Sequence, residues 1–373
     1  MRFTLLRVQN FRNYPFLEIR PSPGITVLHG ANGAGKTNVL EAMHLLSLGR
    51  SHRTTADREM IAQGKEVALV HGEAQRRDGK HEVEVRLYPL EKPSKRVLLY
   101  DKPAERIADM MGHVTCVMFS PEDIRLIRDG PAARRRFMDM QISQIRPSYL
   151  RALKTYLTTL ESRNALLKTQ RISPMADFET QLDTWDEQLI RAALPVAENR
   201  RWFLQELAAN AAEQYASIAE DPGEDFTLRY QGVLANNEVS YRAMETGLKR
   251  TRGEDIQRLF TSFGPHRDDI QMLLSGKELR PFGSQGQIRT AVLSMKLGEI
   301  ALIQQELGEK PALLLDDVFS ELDVKRRSAL VKATQAVQAF LTCTDRQDAV
   351  GAQADMFLQV SQDQEGHAKL QEG

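Results

Sequence analysis

Eight residues near the start of the chain have the types and spacing of a phosphate-binding loop. The stretch GANGAGKT fits the pattern G-x-x-x-x-G-K-[ST], in which glycines let backbone N–H groups turn towards phosphate oxygens. Lys36 can then reach the β- and γ-phosphates, and the Thr37 hydroxyl can bind Mg²⁺. We therefore predict a nucleotide site formed by Gly30, Ala31, Asn32, Gly33, Ala34, Gly35, Lys36 and Thr37.

A second set of candidate residues ends an apolar run far along the chain. The stretch ALLLDDVFSELD begins as a buried strand and ends in carboxylates. Asp316 can lie beside the metal of a nucleotide held by the first loop, so Thr37 and Asp316 are the expected Mg²⁺ ligands. Asp317 would then face the far side of the γ-phosphate, where a general base or a water-orienting group is needed. By itself, the aspartate pair could also cap the following turn, and the phosphate loop is what favours catalysis.

A third candidate is the loop FGSQGQIRT, which opens onto an apolar run from Ala291. A hydroxyl, unhindered backbone N–H groups and a helix N-terminus all favour an anion. Without the two stronger motifs, this stretch is typical of a simple turn. The residues that would contact the anion are Ser284, Gln285, Gly286 and Gln287.

Short apolar runs around these motifs indicate an α/β sheet. An apolar strand precedes Gly30, and apolar residues at helical spacing follow from Val39 to Leu46. The run after Pro311, the amphipathic stretch VKRRSALVKATQAVQ and the run AFLTCTD form a strand–helix–strand unit, which predicts parallel pairing. The first part of the chain is rich in strands, which are predicted at residues 2–8, 14–20, 66–72, 81–88 and 96–100.

Between these parts, residues 131–215 show almost no strand pattern and carry two heptad-like seams. Spacings of three and four predict two antiparallel helices joined by the turn TQRISPMAD, with Pro195 expected to kink the second helix. We therefore predict an α/β lobe of residues 1–120 and 262–373, interrupted by a mainly helical lobe of residues 121–261. The seam residues are Leu150, Leu153, Leu157, Leu160, Asn164 and Leu167 in the first arm, and Phe178, Leu182, Trp185, Leu189, Ala192 and Val196 in the second.

Charge is balanced over the whole chain, so a nucleic-acid site would have to be local. Lys+Arg and Asp+Glu number 50 each among 373 residues, which gives a formal net charge of zero. Local clusters could contact the phosphate backbone in a salt-sensitive, sequence-independent way, or could be solvated faces balanced by acids. The candidate DNA-binding residues are Arg53, Arg134, Arg135, Arg136, Arg151 and Lys154.

Other features of the sequence indicate a cytoplasmic protein without a membrane partner. The start of the chain has no signal-peptide core, and no apolar run approaches the ~20 residues of a membrane span. Cys116 and Cys343 lie in apolar runs, which predicts buried, reduced thiols. In GPHRDDI, adjacent residues from His266 to Asp269 would point to opposite faces of a strand, which favours a salt-bridged structural role over a metal site.

The motifs together resemble ABC-type ATPases of the branch that contains the structural-maintenance-of-chromosomes proteins, and within it the RecF family of bacterial recombination mediators. The resemblance covers nearly the whole chain and rests on LRVQNFRNY, GANGAGKTN, FSPEDIRLIRDGPAARRRF, GPHRDDI, GSQGQIRT and LLLDDVFSELD. It implies an ABC-type ATPase head that uses ATP and Mg²⁺, with the helical lobe serving DNA or a partner protein. It also implies an ATP-dependent homodimer, in which the loop Ser284–Gln287 contacts the ATP of the other subunit. The D-loop between the subunits would consist of Ser320, Glu321, Leu322 and Asp323.

The resemblance further implies binding of duplex and gapped DNA without sequence specificity, in the cytoplasm at the nucleoid. RecR and RecO are the implied partners, and recombinase loading at single-strand gaps is the implied outcome. Departures from the general ABC pattern predict slow, DNA-stimulated ATP hydrolysis. Asp317 stands where many relatives have Glu, Asp345 stands where many have a switch His, and residues 119–123 contain no Gln. Gln285 also replaces a Gly of the general signature.

Three other functions share parts of these motifs. A metabolic P-loop kinase needs no dimer signature and should phosphorylate a small acceptor. A chromosome-organising ATPase would use the same head, but the helical hairpin is too short to embrace DNA at a distance. The ATPase subunit of a transporter would need a coupling surface for a membrane partner and usually a Gly-Gly signature.

Overall fold

The computed structural model describes residues 1–221, 223–232, 239–319, 322–335, 337–349 and 353–372. Its strands are β1 (Arg2–Phe11), β2 (Tyr14–Ile19), β3 (Ile25–His29), β4 (Ala68–Arg76), β5 (Gly79–Leu87), β6 (Lys95–Leu99), β7 (Lys102–Pro103), β8 (Cys116–Phe119), β9 (Phe226–Gln231), β10 (Asp269–Leu274), β11 (Lys277–Glu278), β12 (Ala312–Asp316), β13 (Ala339–Cys343), β14 (Met356–Gln362) and β15 (Ala368–Glu372). Its α-helices are α1 (Lys36–Leu48), α2 (Arg125–Arg128), α3 (Pro131–Ile145), α4 (Pro147–Ile172), α5 (Phe178–Ile218), α6 (Tyr241–Arg258), α7 (Leu279–Phe282), α8 (Gln285–Leu307) and α9 (Val324–Thr334).

The first sheet is antiparallel and runs in the order β2-β1-β4-β5-β6-β7. Leu6 and Val8 of β1 are buried and pair with Gly72 and Val70 of β4, whereas Arg7 between them is half-buried. This alternation is expected of a strand with one face towards the core. The strands predicted in the first part of the chain are confirmed, with their ends shifted by a few residues.

The second sheet runs in the order β15-β14-β3-β13-β12-β8, and all its neighbours are parallel except β14 and β15. Its central strands are buried on both faces, since α1 and the first sheet cover one face and the helical part of the chain covers the other. Parallel strands place their carboxyl ends at one edge, so the loop after β3 and the end of β12 come together there. The predicted α/β fold class is confirmed.

Helices α4 and α5 form the predicted hairpin, and α5 continues for 41 residues through Pro195. The structure corrects the predicted seam of α4, because Leu157 is 43% exposed. The buried face is formed instead by Tyr149, Leu153, Tyr156, Leu160, Arg163 and Leu167.

Paired polar groups explain why the seam of α4 differs from its apolar pattern. The Tyr156 hydroxyl lies 2.6 Å from His266 Nδ1. Arg163, which is completely buried, donates to Asp186 at 2.6 Å and to Asp255 at 2.8 Å. A buried cation is tolerated when carboxylates pair with it, and a pattern of apolar residues alone cannot show this.

A third, small sheet runs in the order β11-β10-β9 and joins the helical part of the chain to the rest. β9 lies within the predicted helical lobe, and it pairs with β10 on the other side of the predicted boundary at residue 262. The division into two lobes stays a prediction. Among the described residues, no helix has both the length and the apolar character that a membrane crossing requires.

Candidate functional site

The loop between β3 and α1 has a backbone that requires glycine at both ends. Gly30 has a φ of 149°, and a Cβ there would lie 2.1 Å from the Val360 carbonyl oxygen. Gly35 has a φ of 121°, and a Cβ there would lie 2.9 Å from the Asn13 side chain. L-amino acids with a side chain rarely adopt such φ values. A glycine loop of this shape before a helix N-terminus suits the binding of a phosphate.

Lys36 lies folded back over this loop. Its ammonium donates to the carbonyl oxygens of Gly30 at 2.6 Å and Ala31 at 2.9 Å. The pKa of Lys36 lies below its usual value, because the effect of burial is larger than the opposing effects of Asp317, Cys343 and Asp316. The cation is thus held above the loop, where phosphate oxygens could replace the two carbonyls.

Residues from distant parts of the chain support the loop. Asn13 Nδ2 donates to the Ala34 carbonyl at 3.0 Å, and the buried Tyr14 hydroxyl donates to the Gly35 carbonyl at 3.2 Å. Gln362 of β14 donates to a further loop carbonyl at 3.0 Å. The loop pattern itself gives no indication of these residues, although Asn13 and Tyr14 belong to the stretch LRVQNFRNY that carries the resemblance.

The structure brings Thr37 and Asp316 into contact, although they are 279 positions apart. The Thr37 hydroxyl donates to Asp316 Oδ1 at 2.7 Å, and the Thr342 hydroxyl of β13 donates to the same oxygen at 2.9 Å. A hydroxyl and a carboxylate are oxygen ligands of the kind that Mg²⁺ prefers. The residues present therefore fit the predicted metal, and Thr342 is an addition that sequence reasoning missed.

Asp317 directly follows β12 and has an unusual backbone conformation. Its φ is 50°, in the left-handed region that Asp tolerates better than most residues. Its backbone N–H donates to the Thr342 hydroxyl at 2.9 Å, and its side chain is exposed. Asp316 and Asp317 thus have different surroundings, as separate roles would require.

Ser284 begins α8 as its N-cap. Its hydroxyl accepts from the Gln287 N–H at 3.2 Å, and Gln287 Oε1 accepts from the Ser284 N–H at 2.9 Å, which forms a capping box. Gln287 also donates to Glu224 at 2.6 Å. Ser284 and Gln285 are exposed, so the N-terminus of this helix faces solvent with its polar groups ordered.

Arg326 joins this loop to the end of the predicted D-loop. Asp323 caps α9 and forms an ion pair with Arg326. The same guanidinium donates to the Gly286 carbonyl at 3.0 Å and to Thr290 Oγ1 at 2.8 Å. Of the predicted D-loop, Leu322 is half-buried, and Ser320 and Glu321 lie outside the described residues. The loop Ser284–Gln287 is called the signature loop below. It and the start of α9 therefore form one continuous surface.

The structure corrects one predicted DNA-binding residue. Arg134 is buried, and its guanidinium donates to both carboxylate oxygens of Asp269 at 2.5 and 2.9 Å. It also donates to the carbonyls of Leu126 and Asp129. Because its donors are used inside the protein, Arg134 cannot present them to a phosphate backbone.

The other predicted DNA-binding residues remain accessible. Arg53, Arg151 and Lys154 are exposed, whereas Arg135 and Arg136 are half-buried. The three arginines of the run at 134–136 therefore differ, although they are adjacent in sequence.

The segment His266–Asp269 forms buried polar contacts. Asp268 is 3.1 Å from the Arg200 guanidinium, and Asp269 holds the Arg134 described above. Burial lowers the pKa of His266 to about 4, and its ring contacts the Tyr156 hydroxyl. No group of three or more His, Cys, Asp or Glu side chains that could hold a metal ion occurs here or elsewhere in the described part of the chain. These contacts agree with a salt-bridged structural role.

A glycine loop after β3, carboxylates at the end of β12 and a capped loop before α8 within one α/β sheet define an ATPase head of the ABC class. The family described as RecF/RecN/SMC N terminal domain matches residues 3–369. The DNA replication and repair protein RecF of Symbiobacterium thermophilum is 42% identical over 356 residues, which cover 93% of this chain and 92% of that protein. RecF of Exiguobacterium sp. is 39% identical over 351 residues, covering 92% and 93%. The chain therefore belongs to the RecF/RecN/SMC family and, within it, to the RecF branch.

Solved structures agree with this assignment. The structure of the recombination mediator protein RecF with ATP in the RecFOR pathway has a TM-score of 0.90 and 30% identity, and covers 99% of this chain and 97% of that chain. The Smc head domain of Pyrococcus furiosus, bound to the C-terminal domain of ScpA, has a TM-score of 0.58 at 17% identity, and covers 100% and 96%. The second similarity shows a shared fold.

Proposed function

We propose that this protein is an ATP-dependent DNA-binding protein of recombinational repair. The observation that carries the proposal is the 2.7 Å contact between Thr37 and Asp316, which joins the two nucleotide motifs at one edge of the sheet. The similarity to a RecF protein solved with ATP supports ATP as the nucleotide. Residues 30–37 would bind its phosphates, and Lys36 would exchange its loop carbonyls for phosphate oxygens.

Thr37 and Asp316 would hold Mg²⁺, which when bound neutralises charge on the phosphates. Asp317 would accept a proton from the attacking water or orient it. Its carboxylate is one methylene shorter than the Glu of many ABC proteins, so we infer slow hydrolysis that DNA stimulates. Asp317 N–H and Asp316 Oδ1 both bond to Thr342, which keeps the two aspartates in fixed positions relative to each other.

The second half of the site would come from another copy of the chain. Ser284, Gln285, Gly286 and Gln287 would contact the γ-phosphate held by the partner copy, and the D-loop from Ser320 to Asp323 would lie at the same interface. The exposed, capped N-terminus of α8 supports this role, because it offers an anion site and a hydroxyl to the outside. ATP would thus trigger a homodimer.

The dimer would bind duplex and gapped DNA without sequence specificity, in the cytoplasm at the nucleoid. Names of similar proteins, "DNA replication and repair protein RecF" and "recombination mediator protein RecF … in RecFOR pathway", support RecO and RecR as partners. Recombinase loading at single-strand gaps would be the output of the assembly.

Sedimentation velocity with and without ATP tests the proposal. Wild type should be monomeric without ATP and dimeric with it, whereas Ser284→Arg should stay monomeric and keep its ATP affinity in calorimetry. Gln188→Arg, at an exposed position of α5, is the matched control and should dimerise normally. A wild-type protein that stays monomeric with ATP, or a Lys36→Ala variant that binds ATP normally, would contradict the proposal.

A further inference from the structure

Three arginines line one cleft between the residues after α1 and the helices α3 and α4. Arg50, Arg135 and Arg136 belong to two segments that are far apart in sequence, and the fold brings them together. Among the described residues, none of the three forms an ion pair with a carboxylate. Arg135 donates to the Asp268 carbonyl at 2.7 Å, and Arg136 reaches the Ser51 carbonyl at 3.4 Å.

The lack of carboxylate partners sets these arginines apart from their neighbours. Arg134 is held by Asp269, and Arg200 is held by Asp139 and Asp268. Asp139 also lines the cleft, but it is a single carboxylate beside three arginines, and its Oδ1 already accepts from Arg200 and Tyr149. In a chain with equal numbers of acids and bases, this cleft therefore has a local excess of positive charge that an anion would balance.

The arginines are crowded but remain accessible. Crowding by protein atoms and the nearby Arg136 lower the pKa of Arg50, although its side chain still reaches solvent. Planar guanidinium groups bind phosphate oxygens with paired hydrogen bonds, so phosphate is the anion that the cleft fits best.

Apolar side chains also line the cleft. Leu48, Met111, Leu150, Leu153 and Leu157 line it, and the cleft encloses about 310 Å³. Leu157 is the residue that departs from the predicted seam, and its exposed side chain faces this space. A site lined by guanidinium groups and apolar side chains suits a ligand that carries a phosphate next to an apolar group.

We propose that this cleft binds one unpaired nucleotide of a DNA strand, with its phosphate at Arg50, Arg135 and Arg136 and its sugar and base against Leu150 and Leu157. The inference rests on the proposed function and adds to it a place where a single-stranded segment is distinguished from a duplex. A base that is stacked and paired in a duplex cannot reach Leu150 and Leu157, whereas an unpaired base in a gap can.

The proposed contacts between the arginines and the phosphate are tested with the full-length protein and ATP. Fluorescence anisotropy measures the affinity for a labelled duplex that contains a short single-strand gap. The double variant Arg50→Gln/Arg136→Gln should bind at least about tenfold more weakly, and its salt dependence should fall by about two in slope, because two phosphate contacts are lost. The matched control Lys65→Gln/Lys92→Gln removes the same charge at exposed positions of the strand-rich part and should bind like wild type. Equal affinities of the two double variants would overturn the inference.

The proposed contact between Leu157 and the base is tested by comparing the affinities for gapped and for intact duplex DNA. Leu157→Ser should weaken binding to the gapped DNA and leave binding to the intact duplex unchanged. Ile172→Ser, which alters an 85% exposed residue at the end of the same helix, should change neither. An equal loss on both DNAs would overturn the assignment of the cleft to an unpaired nucleotide.

A competition experiment separates a strand from a free nucleotide. Added dTMP should displace the labelled gapped DNA much less effectively than a short oligothymidylate at equal nucleotide concentration. Equal displacement would show a small-molecule pocket and overturn the inference. If wild type binds no DNA with ATP, the proposed function fails as well; if wild type binds and the cleft variants bind equally, only this inference fails.

Discussion

The phosphate loop and the signature loop differ in how the chain supports them. The phosphate loop is buried in part and receives hydrogen bonds from Asn13, Tyr14 and Gln362, which come from both ends of the chain. The signature loop at Ser284 is exposed, and its order comes from its own capping box and from Arg326. The phosphate loop is thus ordered in advance for a ligand, whereas the signature loop is exposed, as the proposed contact with a second copy of the chain requires.

This difference has a physical reason. A loop whose backbone is fixed before binding does not lose conformational entropy when the ligand arrives, so a fixed phosphate loop favours tight ATP binding by the monomer. An exposed helix N-terminus offers an anion site that is weak in water and becomes stronger when a partner excludes the solvent. ATP affinity and dimerisation should therefore respond to different substitutions.

The largest expected effect is that of Gly30→Ala. Its Cβ would lie 2.1 Å from a backbone oxygen of Val360, so the loop or β14 must move. Calorimetry should show ATP affinity reduced by roughly 1,000-fold, about 4 kcal/mol. Gly286→Ala is the control in the signature loop, because its Cβ would meet the flexible end of Arg326 at 3.3 Å and Ser284 Oγ at an ordinary contact distance of 3.9 Å. A comparable loss of ATP affinity in Gly286→Ala would remove the distinction between the two loops.

Asp317→Asn should affect the chemical step and spare binding. The amide cannot accept a proton, so single-turnover hydrolysis should fall by about 100-fold, in the range of general base catalysis. The ATP affinity should stay at the wild-type value. Glu365→Gln, an exposed acid in the turn between β14 and β15, should hydrolyse ATP normally. Wild-type turnover in Asp317→Asn would assign the role to another group.

Arg326→Ala should weaken the dimer and spare ATP binding. The substitution removes the contacts to Asp323, Gly286 and Thr290 that hold the signature loop against α9. In sedimentation with ATP, the dimer should dissociate about tenfold more readily, about 1.4 kcal/mol. Arg326→Lys should restore part of the loss, and Lys332→Ala, an exposed control on the same helix, should have no effect. Unchanged dimerisation in Arg326→Ala would show that the signature loop is positioned without this arginine.

The prediction with the smallest expected effect on ATP binding and dimerisation concerns how α8 is anchored. Glu299 is completely buried beside Lys296, and burial raises its pKa to about 7. A raised pKa means that the folded state binds the proton more tightly than the unfolded state does. The stabilising contribution is therefore present below the unfolded pKa of 4.5 and is lost as the pH rises through 7.

Between pH 5 and pH 8, wild type should lose roughly 2 to 3 kcal/mol of unfolding free energy relative to Glu299→Gln. Denaturant titrations at both pH values measure the difference. Glu306→Gln, on the same helix and more exposed, should follow the wild-type pH dependence. Parallel curves for wild type and Glu299→Gln would mean that Glu299 stays ionised throughout this range.

Much of the architecture could be predicted because it is encoded locally. The strand before Gly30, the helix after Lys36 and the apolar strand that ends at Asp316 each follow from neighbouring residues, and the structure confirms all three. The helical hairpin is also confirmed. The face of α4 was predicted less well, because Tyr156 and Arg163 are buried through partners that the spacing of apolar residues does not reveal.

Glycine geometry and apolar periodicity act over a few residues, so the phosphate loop, the carboxylates after a buried strand and the parallel sheet that joins them follow from the order of the amino acids. Which arginines are neutralised depends on the three-dimensional fold. Arg134 finds Asp269 at a separation of 135 positions, while the adjacent Arg135 and Arg136 turn towards a cleft shared with Arg50. An ion pair depends on distance in space, and three arginines in a row look alike until the folded chain places carboxylates beside one of them and leaves the others facing solvent.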